Sequence, residues 1–220
     1  MTGDAQVISG VVMLFGAGVL VGAALMAIVW VVQVGARLVV YGCRPPKQGD
    51  EGALAAGLEL LPQPLTVILS PVAMLGVVAL EEFVFRALLL GWLRGKIGVL
   101  AAIVISAAIF GLVHALNERP PRISLATVGA VAAGVALGAA YVASGSLAHA
   151  IGVHFGWNYV QWSVFGYPLY GFGVEGLLVT RPAAGKPEWL TGGRMGAEAS
   201  VLSVVMMLVA AGVYAFWLGT

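Results

Sequence analysis

Six polar side chains lie inside stretches of the chain that are otherwise apolar: Glu81, Glu82 and Arg86, then His114, then His154 and Asn158. Glu82 and Arg86 stand at i and i+4, so on a helix they can pair with each other. Glu81 projects about 100° away from Glu82 at 3.6 residues per turn and has no partner within its own helix. Phe110 and His114 share the i, i+4 spacing, as do His154 and Asn158, so each pair projects from one helix face. Carboxylate, imidazole, imidazole and amide on three helices can converge on one buried point. A glutamate in a low-dielectric site suits general-base work near neutrality. One histidine can share that role by holding the water, while the second histidine and the asparagine amide donate to a developing oxyanion. That set describes hydrolysis of an acyl bond by an activated water.

A second reading of the same residues is a metal site. Two histidines and one glutamate, here Glu81, His114 and His154, can bind catalytic zinc with a water in the open position. No HExxH motif occurs, so such a site would be assembled from separate helices. Other nucleophiles are poorly supported. GxSxG is absent, Cys43 lies far in sequence from both candidate histidines, and Ser106 precedes His114 by two helical turns. His149 points about 140° round the helix from His154 and is left outside the site. Gln161, Trp157 and Trp162 read as packing and interfacial residues.

The elements that must position these groups follow from composition. The chain has 220 residues, 60% hydrophobic and 10% charged, with mean hydropathy +0.99. Soluble domains carry nearer 25% charged residues, so the chain reads as an all-α polytopic membrane protein. A charged side chain near the centre of a membrane helix costs about 2.5–3.5 kcal/mol, so Glu81, Glu82 and Arg86 would cost about 8–10 kcal/mol unpaired. Apolar runs at 7–34, 71–93, 97–116, 123–143, 147–164 and 200–218 predict about six spans in a single membrane domain over 1–220. The motif-bearing core is 71–166, with the second helix starting near Pro71. A short turn is expected at 91–98. The run at 7–34 is too long for a signal h-region and is expected as a retained first helix. Gly18 and Gly22, and Gly134 and Gly138, are spaced for close helix packing.

The connections at 35–64, 117–122 and 166–199 hold most of the lysines and arginines, which predicts a cytoplasmic location for them. The stretch 53–61 is expected along the membrane interface, and 166–199 outside the core or lining its mouth. Net charge is +1 with no basic run, so nothing suggests nucleic-acid binding and no such partner is expected. Cys43 is the sole cysteine, which excludes an intrachain disulfide and a CxxC site. The expected partners are the lipid bilayer and a peptide or membrane-protein substrate, with no cofactor.

Glu81-Glu82-Phe83-Val84-Phe85-Arg86 fits EExxxR, Phe110 to His114 fits FxxxH, and His154 to Asn158 fits HxxxN. In that order, each on its own helix, they resemble the three motifs of the CPBP family, the CAAX protease and bacteriocin-processing (ABI) group of intramembrane enzymes. Ser144-Gly145-Ser146-Leu147 resembles the usual lead-in to the third motif. The likeness covers residues 71–166. Pro187-Glu188-Trp189-Leu190-Thr191-Gly192-Gly193 and Gly196-Ala197-Glu198 are similar to stretches of some bacterial members.

The resemblance implies glutamate-dependent proteolysis in a helical bundle with a conical cavity open toward the cytosol and laterally to lipid. Carried onto this chain, Glu81 and His114 would activate water, and His154 and Asn158 would stabilise the oxyanion. Glu82 and Arg86 would hold the geometry, with Phe110 in support. A zinc enzyme is the less favoured form. Eukaryotic members remove three residues after a prenylated cysteine. This short, Ala/Gly/Val-rich chain looks bacterial, an inner-membrane protein, which argues against a prenylated substrate. The competing expectations are a non-enzymatic scaffold or immunity protein of the same fold and a small proton-coupled transporter. The absence of an evident inverted repeat counts against the last.

Overall fold

The computed structural model describes residues 3–43, 63–118, 120–171 and 176–219. The stretch expected at the interface, 53–61, lies outside them. Helix α1 (Gly3–Gly35) holds the first apolar run. Helix α2 (Gln63–Glu82) passes without a break into a π-helical stretch, Phe83–Leu90, and then α3 (Gly91–Ile97). After a turn at Gly98 (φ 82°) come α4 (Val99–Ala115), α5 (Leu125–Ser144) and α6 (Leu147–Tyr159), the last extended by a π-helical stretch at Val160–Val164. A short α7 (Glu188–Thr191) and a 3₁₀ turn (Ala197–Ala199) lead into α8 (Val201–Gly219).

Among the described residues the fold is all-α apart from one strand pair. Strands β1 (Val39–Cys43) and β2 (Leu178–Pro182) run antiparallel, with Tyr41 opposite Thr180. They bring the connection after α1 together with the one before α8. Among the described residues, two helical stretches, Asp4–Gly35 and Leu125–Ser144, are long and apolar enough to cross a membrane by length and composition, and Val99–Ala115 and Val201–Trp217 are shorter apolar helices. Large apolar side chains on the outer faces are exposed, among them Leu20, Leu80, Leu100 and Phe216. A bilayer is the solvent that suits such a surface.

Two boundaries differ from expectation. The helix does not begin at Pro71; it begins at Gln63 and runs through Pro71. Pro64 occupies the first turn, where a missing N–H is harmless, and Pro71 removes one ladder bond. The stretch expected as a turn at 91–98 is helical as far as Ile97, with Arg94 and Lys96 in its last turn, where cations complement the helix dipole. Only Gly98 turns the chain.

Small residues set the helix spacing. Helix α1 packs most extensively on α6, and a Cβ at Gly18 or Gly22 would collide with the carbonyl oxygens of His149 or Val153. The Gly18–Gly22 pair therefore packs α1 inside the bundle. The Ala- and Gly-rich α5 lies between α4 and α8 and is largely buried. Ser124 caps its start, accepting from the Ala126 N–H, and Gly145 ends it in the left-handed conformation. Substituting Gly22 by leucine should wedge α1 from α6 and destabilise the protein by about 2 kcal/mol or more. Gly76→Ala, where a Cβ meets nothing within 4 Å, should shift stability by less than about 0.5 kcal/mol. Thermal unfolding of the detergent-solubilised variants checks the contrast.

Candidate active site

The π-helical stretch begins directly after Glu82, and its wider turn brings both Phe85 and Arg86 inward. The Gly91 N–H bonds to the Arg86 carbonyl, five residues back, as π geometry requires. Ser106 of α4 donates to the Phe85 carbonyl at 2.9 Å and ties the stretch to its neighbour. Arg86 Nε lies 3.1 Å from Glu82 Oε2, with 1% and 0% of the two side chains exposed. The guanidinium also donates from Nη2 to the Gly134 carbonyl on α5 at 3.4 Å and lies 4.6 Å above the Phe110 ring on α4.

Glu82 does more than pair with Arg86. Its Oε1 accepts from Nδ1 of His154 on α6 at 2.8 Å. A carboxylate accepts only, so this bond assigns the proton to Nδ1 and leaves Nε2 for another partner. Nε2 faces Glu81 Oε2 at 3.7 Å. His154 is thus bracketed by both glutamates, one on each ring nitrogen. Glu81 keeps 29% of its side chain exposed while Glu82 keeps none, so two adjacent residues occupy a half-open and a closed environment.

His114 is oriented in a parallel way. Its Nδ1 donates to the Phe110 carbonyl one turn back, at 2.8 Å, again leaving Nε2 free of the backbone. Its ring lies against the rings of Phe110 (centroids 4.2 Å apart) and Tyr170 (4.8 Å). Glu81 and His154 are both within electrostatic range of it. Phe110 spans the gap between the histidines, 6.1 Å from the His154 ring. A cavity beside them is lined by Phe110, His154, Asn158 and Tyr170. The residues singled out from spacing therefore gather in one region: Glu81, Glu82 and His154 by direct contact, His114 through Phe110, and Asn158 through the shared cavity. His149 is turned away, its Nδ1 donating to the Leu14 carbonyl and its Nε2 accepting from the Tyr214 hydroxyl.

Three further residues belong to this neighbourhood. Gln161, fully buried, accepts from Trp157 Nε1 and donates to the Glu198 carboxylate and the Pro168 carbonyl. Glu198, in the connection ahead of α8, also accepts from the Tyr170 N–H at 2.6 Å. Burial pushes its carboxyl up to about 7. Gln161 was read as packing, and Glu198 stood out only through its likeness to bacterial relatives. Tyr170 lies in a Gly-rich connection that carries no periodicity.

The metal reading can be tested on geometry. Among the described residues, no three His, Cys, Asp or Glu side chains are gathered so as to hold a metal ion. Glu81, His114 and His154 are not such a gathering.

The sequence model of the type II CAAX prenyl endopeptidase Rce1-like family matches residues 63–160. That stretch contains every one of the motif residues, from Glu81 to Asn158. Over those 98 of 220 residues the chain is similar to this Rce1-like family. No curated protein and no solved structure matches it. Helices α1 and α8 lie outside the matched stretch, as do Tyr170 and Glu198. The Rce1-like family is one of membrane-embedded CAAX-type proteases, which agrees with the apolar helices and the buried ionisable cluster.

Arg86→Met leaves Glu82 buried with half its partners, and breaking a buried pair in this way should cost about 3–5 kcal/mol. Adding Glu82→Gln should cost much less than a second increment of that size, which a double-mutant cycle on unfolding midpoints will read. Glu198 predicts a separate pH effect. Its folded pKa is raised, so its contribution to stability is full below about 4.5 and is lost as pH rises through about 7. The unfolding midpoint of wild type should fall across that window, and Glu198→Gln should flatten the fall.

Proposed function

We propose that the protein is an intramembrane endopeptidase of bacterial inner-membrane type that hydrolyses a peptide bond with a water activated by Glu81. The observation that carries this reading is the bracketing of His154, fixed by Glu82 through Nδ1 and presented to Glu81 through Nε2. Glu81 is the half-exposed member of the pair, open to a water and a substrate, while Glu82 is committed to Arg86 and His154. An intramembrane carboxylate set apart in this way serves chemistry better than packing.

Each side chain then has a task. Glu81 takes a proton from the attacking water, which the Nε2 lone pair of His114 orients. Water oxygen bonds to the scissile carbonyl carbon, and the carbonyl oxygen becomes an oxyanion. Asn158, one turn beyond His154, donates its amide to that oxyanion. The proton on Glu81 can pass to His154 Nε2, and the imidazolium so formed donates first to the oxyanion and then to the departing amine. Breaking the C–N bond completes the cycle with one water consumed. Arg86 and Phe110 hold Glu82 and the histidines in register.

A substrate whose scissile bond reaches this depth is a peptide or membrane-protein segment, delivered through the bilayer or from the cavity that Asn158 lines. Glu81→Gln should reduce cleavage by about 10²–10⁴-fold, the usual range for removing a general base. Comparison of peptide termini in membranes carrying wild type or Glu81→Gln tests this, with the variant's unfolding midpoint as a control for folding. New termini confined to wild type support proteolysis. Identical termini, with the wild-type phenotype retained by a folded variant, would replace it with the scaffold reading.

A further inference from the structure

His114 is held by two rings and one backbone bond, and one of those rings comes from outside the motif helices. Tyr170 adopts a left-handed backbone conformation (φ 49°), which a residue with a side chain rarely occupies without support. The support is local and specific. The Tyr170 N–H donates to Glu198 Oε1 at 2.6 Å, and the next N–H, of Gly171, donates to the Met195 carbonyl at 3.2 Å. Both acceptors belong to the connection that ends in the Ala197–Ala199 turn.

That turn is itself built to hold one carboxylate. The Ala197 carbonyl accepts from Ser200 Oγ (2.7 Å) and Ser203 Oγ (2.6 Å), which anchors the turn to the start of α8. Gly129 of α5 lets the Glu198 backbone lie directly against the helix, where a Cβ would strike the Glu198 carbonyl. Gly196 (φ 110°) gives way to the Pro168 carbonyl in the same manner. Gln161 holds the other carboxylate oxygen. Glu198 is 6% exposed and takes no part in the chemistry proposed above, so its burial needs another reason.

We propose that Glu198 is a positioning residue of the catalytic site: it fastens the Tyr170 backbone so that the Tyr170 ring closes over the His114 imidazole and fixes its orientation. The proposal rests on the reading of His114 as a group that orients the water. The Tyr170 ring face does the work, and its hydroxyl is not required. The raised pKa of Glu198 is consistent with a group valued for its acceptor geometry, since a neutral carboxyl still accepts from the Tyr170 N–H. The chain holds only three histidines, so the three imidazoles can be followed separately.

The test is ring ¹³C–¹⁵N spectroscopy of histidine-labelled full-length protein in detergent micelles, with peaks assigned by single His→Gln variants. Glu198→Ala and Tyr170→Ala should each shift the His114 ring resonances and leave those of His149 in place. Glu198→Gln, which retains an acceptor for the Tyr170 N–H, and Tyr170→Phe should keep the wild-type spectrum. On a peptide cleaved by wild type, the two alanine variants should lower kcat by about 10–100-fold, the scale of a misplaced catalytic group, with KM within about twofold. The Glu198→Ala, Tyr170→Ala double variant should be no worse than the worse single. If Glu198→Ala does not fold, Gly196→Ala moves the carboxylate while keeping it and should produce the same His114 shift. Unmoved His114 resonances in a folded Glu198→Ala or Gly196→Ala protein would overturn the proposal, as would additive losses in the double variant. Because the spectra need no substrate, a His114 shift in a protein that cleaves nothing would sustain the positioning role and reject the protease reading alone.

Discussion

The Glu82 carboxylate sits where no water reaches it, and four helices are referenced to it. Arg86 closes one oxygen and continues to the Gly134 carbonyl on α5 and the Phe110 ring on α4. His154 closes the other oxygen from α6. Charges removed from water are stable only while their partners stay in place, so a small shift of any of these helices leaves a buried charge exposed to an apolar medium. Such an arrangement adds little net stability over a well-packed apolar core, yet it penalises every alternative packing. Its value is register: it determines where the second nitrogen of His154 points.

Around this fixed point the neighbouring glutamate is left adjustable. Glu81 and Glu82 differ by one residue, about 100° of helix rotation, and that rotation separates a half-open environment from a closed one. The π-helical stretch after Glu82 adds to the separation, since an i→i+5 turn widens the helix and lets Phe85 and Arg86 share the interior. The small residues of α5 complete the picture. A helix made of Ala and Gly lets α4 and α8 approach closely, and it offers the Gly134 carbonyl, unshielded by a side chain, to Arg86.

Much of this was legible in the residues themselves. The i, i+4 pairs Glu82–Arg86 and Phe110–His114 reappear as a 3.1 Å ion pair and a 2.8 Å side-chain-to-carbonyl bond, because helical spacing alone brings such groups together. The Gly18–Gly22 pair packs inside the bundle as its spacing suggested. What periodicity could not show is any contact between distant segments in irregular backbone. The Glu82–His154 bond bridges two helices, the π-helical turn has no compositional signature in Phe83–Leu90, and Tyr170 and Glu198 meet across connections that carry no repeat. Pro71 misled for a simpler reason: a proline can begin a helix or be tolerated inside one, and the sequence nearby holds another proline that begins it.

The bond between Glu82 and His154 joins residues 72 positions apart, and the chain is made and threaded into the membrane from one end. At about 5–20 residues per second, His154 is synthesised about 4–14 s after Glu82. Throughout that interval α2 must reside in or beside lipid with its buried carboxylate lacking the partner that later secures it. Arg86, four residues away on the same helix, is the one neutralising group that arrives with the carboxylate. The pair that holds the finished site in register thus also makes its charge-bearing helix tolerable to the bilayer before the rest of the bundle exists.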